Sequence, residues 1–130
     1  MKLQFYKPNA KITGTGCSFW KNPSDPTFWA SLIKQGTWND KTKTGTFQQN
    51  KDNPQKRVII KFSGVEIAGF IDAIERNSEH TGYHGSQKQI VKYKFCPYMR
   101  NDEQIGFSFS VNKEAKDDST DKQGYIIGFY

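Results

Sequence analysis

Apolar and polar residues alternate singly through most of this chain, and only one stretch breaks into a helical period. A period of two places successive side chains on opposite sides of a strand, so such a chain must build its core from sheets with one buried face. Leu3 and Phe5 alternate with Lys2, Gln4 and Tyr6, which predicts a first strand. Residues 17–21 give a second, ending at Asn22-Pro23-Ser24-Asp25-Pro26, whose prolines and short polar side chains dictate a turn. Residues 28–38 read as one long third strand, and residues 57–62, with Val58, Ile60 and Phe62 in step, as a fourth. Between them, residues 41–45 and 50–56 are polar and turn-rich, predicting a long, basic, mobile loop around Phe47. The exception is Ser63-Gly64-Val65-Glu66, an S-x-x-E capping box, followed by Ile67, Phe70, Ile71 and Ile74 at i, i+3, i+4 and i+7. That spacing predicts a helix whose apolar stripe lies on a sheet. The polar residues 77–86 then read as a surface loop, and strands follow at 89–96, 105–111 and 125–130. Gly106, Ser108 and Ser110, opposite Phe107, Phe109 and Val111, mark a face that something large approaches closely.

The strand at 57–62 has a counterpart. Arg57-Val58-Ile59-Ile60-Lys61-Phe62 aligns with Gly124-Tyr125-Ile126-Ile127-Gly128-Phe129, with the paired isoleucines and the phenylalanine in register. The expected fold class is therefore α+β: antiparallel sheets in two repeated strands-then-helix units, residues 1–77 and 78–130, the second helix missing from the chain as it stands. At 130 residues both repeats fit one domain. A last strand without its helix would leave apolar surface uncovered, which predicts a two-fold homodimer.

Composition narrows the partners. Ten Phe, six Tyr and three Trp exclude a disordered chain although the mean hydropathy is -0.80. No run reaches the roughly 20 apolar residues a membrane helix needs, and residues 1–7 lack the apolar core of a signal peptide. Cys17 and Cys96 stand apart among apolar neighbours, as reduced thiols of a cytosolic protein do. Residues 1–63 hold eleven basic and three acidic side chains, a net of +8, whereas residues 64–130 hold eight and ten, a net of -2. A basic excess confined to one half points to a polyanion, nucleic acid or an anionic membrane surface, unless it serves solubility alone.

Enzyme signatures are absent: no P-loop, G-x-G-x-x-G, G-x-S-x-G or H-E-x-x-H occurs. His80 and His84 read as loop residues because Gly82 interrupts them and no cysteine is near. Residues 117–121 are acidic without the spacing of a calcium loop and read as a hairpin tip. No cofactor or metal is expected. What recurs is aromatic residues beside lysines on strands: Phe19-Trp20-Lys21; Lys34 through Trp38, with Lys41 and Lys43 beyond; and Lys92-Tyr93-Lys94-Phe95. Single-stranded nucleic acid needs flat side chains under its bases, worth roughly 1 to 3 kcal/mol each, and cations along its phosphates. The competing reading makes these aromatics the core of a β protein. The candidate contacts are Phe19, Trp20, Lys21, Lys34, Trp38, Lys41, Lys43, Lys92, Tyr93 and Lys94.

Residues 16–74 resemble the single-stranded DNA-binding superfamily of the eukaryotic transcriptional positive coactivator and the plant Whirly proteins, in the form encoded by tailed bacteriophages. The resemblance rests on Phe19-Trp20-Lys21, on the run from Ala30 to Asp40 with its closing Trp38, and on Arg57 through Ser63 leading into Val65-Glu66-Ile67-Ala68-Gly69-Phe70-Ile71. It implies a sheet that holds single strands through Phe19, Lys21, Lys34 and Trp38. It also implies a non-catalytic protein of phage replication, recombination or transcription, in the bacterial cytoplasm and alongside replication or recombination proteins. The second half resembles Whirly proteins in repeating the unit and departs from them in stopping before the second helix. An oligonucleotide-binding barrel would use the same residue types, and an assembly protein would keep the aromatics for its core.

Overall fold

The computed structural model describes residues 2–118 and 120–130, so Met1 and Ser119, the latter in the expected 117–121 tip, lie outside the described residues. Strands β1 (Lys2–Lys7), β2 (Thr15–Lys21) and β3 (Phe28–Lys34) run antiparallel in sequence order. A small hairpin of β4 (Thr37–Asn39) and β5 (Thr44–Thr46) follows, and β6 (Arg57–Phe62) then pairs with β3 to complete a four-stranded sheet. Helix α1 (Gly64–Arg76) leads to β7 (His80–Gly85), β8 (Gln89–Arg100), β9 (Glu103–Ala115) and β10 (Lys122–Phe129), a second antiparallel sheet in which each strand pairs with the next. By its internal contacts the chain divides into two compact units, residues 1–64 and 65–130.

This corrects the expected α+β class. The chain is 55% strand with one α-helix, a largely β protein, and it does not consist of two strands-then-helix units. The helix follows β6 in sequence but belongs by its contacts to the second unit. There the Phe70 ring sits within 4.9 to 5.7 Å of the rings of His80, Tyr93, Phe95 and Phe109. That aromatic nest selects the packed face of the helix. Gly69 completes it, since a Cβ there would strike the His80 ring, and Ala73 is buried one turn on. Of the stripe expected to lie on the sheet, Phe70 packs and Ile67 is half-buried, whereas Ile71 and Ile74 are turned away, 52% and 55% exposed.

In the first unit, Val58, Ile60 and Phe62 of β6 face the same way as Leu32, Ala30 and Phe28 of β3 and Cys17 and Phe19 of β2, and this is the buried face. Burial pushes the Cys17 thiol up to about 12. The long strand expected over 28–38 breaks at Gln35. Its buried side chain accepts from the backbone N–H of Asn9 (2.9 Å) and Gly14 (3.1 Å) and donates to the carbonyls of Asn9 (3.0 Å) and Thr37 (2.8 Å). Ladder pairing is thereby exchanged for a side-chain hub that ties β3 to the hairpin. The segment expected as a mobile loop is ordered the same way, for Asn50 Nδ2 donates to the Lys34 carbonyl at 2.9 Å.

In the second unit Tyr93, Val111 and Tyr125 make one cross-strand row of the buried face, and Phe95, Phe109 and Ile127 the next. The face expected to be approached closely is met at Gly106 by the chain itself: a Cβ there would run into the Phe129 carbonyl and Tyr130.

Candidate nucleic-acid interface

Register decides which aromatics the first sheet offers to a ligand. Its open face carries three cross-strand rows: Tyr6–Gly16–Ile33–Arg57, Gln4–Ser18–Ser31–Ile59 and Lys2–Trp20–Trp29–Lys61. Rows lie about 7 Å apart along the strands, so the small middle residues leave a trough between two taller walls. One wall is the indole pair, with Trp20 and Trp29 nearly parallel (6°) at a centroid distance of 6.2 Å. The Lys61 ammonium stands 5.5 Å from the Trp29 ring centre, within cation–π range. The other wall is Tyr6, which leans on Phe47 with centroids 5.1 Å apart. Tyr6 can lie down over β2 only because position 16 is glycine, where a Cβ would press into its ring.

The resulting groove holds about 430 Å³. Lys2, Lys51 and Arg57 line it, and no acidic residue does. Arg57 is fixed inside: its Nε donates to Ser31 Oγ at 2.8 Å and its Nη1 to the Lys51 carbonyl at 3.0 Å. The arrangement thus offers flat rings to stack on, point charges at the rim and an oriented guanidinium on the floor. The unit around it holds the +8 of residues 1–63.

Of the residues picked out from sequence, Trp20 is in this groove. Phe19, its neighbour, points to the opposite side of β2 and meets Phe5 and Phe28, each at 6.3 Å. Lys21 and Lys34 share that opposite side by register. Burial, and secondarily the nearby Lys56, hold the Lys34 ammonium below the ordinary lysine range. Trp38 is on the β4–β5 hairpin instead of the large sheet, half-buried, its Nε1 donating to Asp40 Oδ1 at 2.9 Å. Lys41 and Lys43 are exposed at the tip of that hairpin. Lys92 and Lys94 are on the open face of the second sheet, where Lys94 pairs with Glu79 at 3.2 Å.

Tyr93 is a core residue, 2% exposed, and cannot offer its ring to a base. Its hydroxyl donates to Glu66 Oε2 at 2.7 Å, and burial followed by that carboxylate raises it above the ordinary tyrosine range. The same oxygen lies 2.6 Å from His84 Nε2. His80 and His84 accordingly stand on strand β7 and not in the expected loop. Sequence reasoning missed Lys2, Tyr6, Lys51 and Arg57 in the groove and Trp29 and Lys61 beside it. All of these but Lys51 share the outward parity of Trp20 once the strands are registered.

No family model, curated protein or solved structure matches the chain.

Proposed function

We propose that the open face of the first sheet binds single-stranded DNA, largely without regard to sequence, and that the protein acts by binding and not by catalysis. The observation that carries this reading is the parallel Trp20–Trp29 pair, capped by Lys61, standing on the solvent side of a sheet that has its own apolar core on the other side. A protein that needed those indoles only for packing would turn them inward with Phe19 and Phe62. Duplex DNA hides its base faces, whereas single strands present them to such a platform. Lys2, Lys51 and Lys61 are placed to follow the phosphates.

The resemblance of residues 16–74 to phage-encoded single-strand binders supports a role in replication, recombination or transcription in the cytoplasm of a bacterial host. Among the described residues no helix is long and apolar enough to cross a membrane. The test is quenching of tryptophan fluorescence by oligo-dT at several salt concentrations. Log affinity should fall with log salt by about 0.7 per phosphate neutralised. Salt-independent quenching, or tighter binding of duplex, overturns the reading.

A further inference from the structure

The two lysines that line the groove and the one arginine inside it are held differently, and the difference bears on which base the groove prefers. Lysine ammoniums at a rim are point charges on flexible stems, suited to a phosphate arriving from any direction. Arg57 starts from Ile33's row but reaches diagonally to Ser31 Oγ, over the small-residue floor between Tyr6 and Trp20, and is held a second time by the Lys51 carbonyl. Those two bonds use two of the five guanidinium N–H groups. Three remain on Nη1 and Nη2 with no acceptor among the described residues. No carboxylate lines the groove to take them. A base stacked against the indole wall brings its edge, not its phosphate, to this floor. On the major-groove edge guanine alone presents two acceptors side by side, O6 and N7, matching a guanidinium fork, whereas cytosine carries its O2 and N3 pair on a smaller ring with less face to stack on the indole wall.

We infer that the groove contains a guanine-selective position within an otherwise sequence-tolerant interface, and that Arg57 is the residue that determines the selection. The inference rests on the single-strand reading of the same face and adds a specificity to it. Arg57 contributes selectivity through its geometry, so its charge alone does not suffice.

The experiment titrates the full chain by tryptophan fluorescence with three oligothymidines of equal length: one unsubstituted, one carrying a single guanine, and one carrying the 7-deaza analogue, which lacks the N7 acceptor. The guanine strand should bind about five- to a hundred-fold more tightly than the unsubstituted one, the range a bidentate pair gives. The deaza strand should lose most of that gain. Arg57→Lys, which keeps the charge and loses the fork, should bind the guanine strand no more tightly than it binds the unsubstituted one. The deaza comparison is made on the unmodified protein and so stands even if the variant folds poorly. If the unsubstituted strand binds with salt-dependent affinity and guanine adds nothing, the selective position is refuted while single-strand binding stands. A gain that survives the deaza substitution or the lysine variant refutes the role of Arg57. If no strand binds, single-strand binding itself fails and the selective position with it.

Discussion

Where the first sheet turns a cluster of Tyr6, Trp20, Trp29, Arg57 and Lys61 to its open side, the second, with the same antiparallel order of neighbours, turns out mostly polar residues, Lys92, Lys94, Ser110 and Asn112, with Tyr83 and Ile126 set apart among them. Their buried faces are of one kind: Leu32, Val58, Ile60 and Phe62 in the first, Val91, Phe109, Val111 and Ile127 in the second. A sheet with one buried face is constrained on that face by packing and is free on the other, so function can be written on the outward parity at little cost to the fold. Charge follows the same division, +8 before residue 64 and -2 after it. The second sheet also keeps one of its outward lysines engaged, since Lys94 is paired with Glu79.

The comparison breaks most visibly if the buried faces are not equivalent. Phe62→Ala and Phe109→Ala, at residues 1% and 0% exposed, should each cost about 3 to 5 kcal/mol of stability in urea unfolding. A loss below about 1 kcal/mol in either would mean that its sheet is not organised by that face.

Adjacent residues on opposite sides of β2 give the sharper contrast. Trp20→Ala should weaken oligo-dT binding by about 1 to 3 kcal/mol with a small change in melting temperature. Phe19→Ala should do the reverse, lowering the melting temperature and sparing affinity. Equal binding losses in the two variants would erase the distinction between the faces.

These contrasts also show how far the sequence could be read. Period-two alternation identified β1 and β6 because their inward residues are mostly apolar and their outward ones, Ile59 apart, carry a polar group. It failed for β7, whose inward positions are His80, Gly82 and His84. Gly82 is small because the Tyr93 ring occupies the space a Cβ would need, a reason located on another strand and invisible locally. The helix was placed correctly by its period, but its packed side only in part, since Phe70 enters an aromatic nest while Ile71 and Ile74 are left exposed. For the site, aromatic and basic residue types were legible in the sequence, and their parity was not. Phe19-Trp20-Lys21 looks like a cluster in sequence, yet a strand divides it between two faces, and only registry with β1, β3 and β6 assembles the true neighbours of Trp20.

Electrostatics should separate the faces more gently. Lys51→Gln and Lys61→Gln are each expected to reduce the slope of log affinity against log salt by about 0.7, whereas Lys92→Gln and Lys94→Gln should leave it unchanged. A fall in slope from the second pair would extend the interface to the second sheet. The smallest effect is confined to alkaline solution. Burial raises the Tyr125 hydroxyl to about 12, above the ordinary tyrosine range near 10. The folded state thus favours the neutral phenol, and the stability this contributes is intact below pH of about 10 and lost as pH rises toward about 12. Tyr125→Phe should flatten the stability profile of the second unit in that window, followed by denaturant midpoints at stepped pH. An unchanged profile would mean the phenol is not protected.

The way the first sheet closes has a consequence for how the protein is made. All its ladder pairings fall between Lys2 and Phe62, and two of the three join strands that are neighbours in sequence. Chains fold during synthesis from the amino end, domain by domain, and pairings between sequence neighbours form quickly. The trough with its indoles and arginine can therefore be finished while the second sheet is still being translated, and a nascent chain stalled beyond Phe62 should already carry a competent groove.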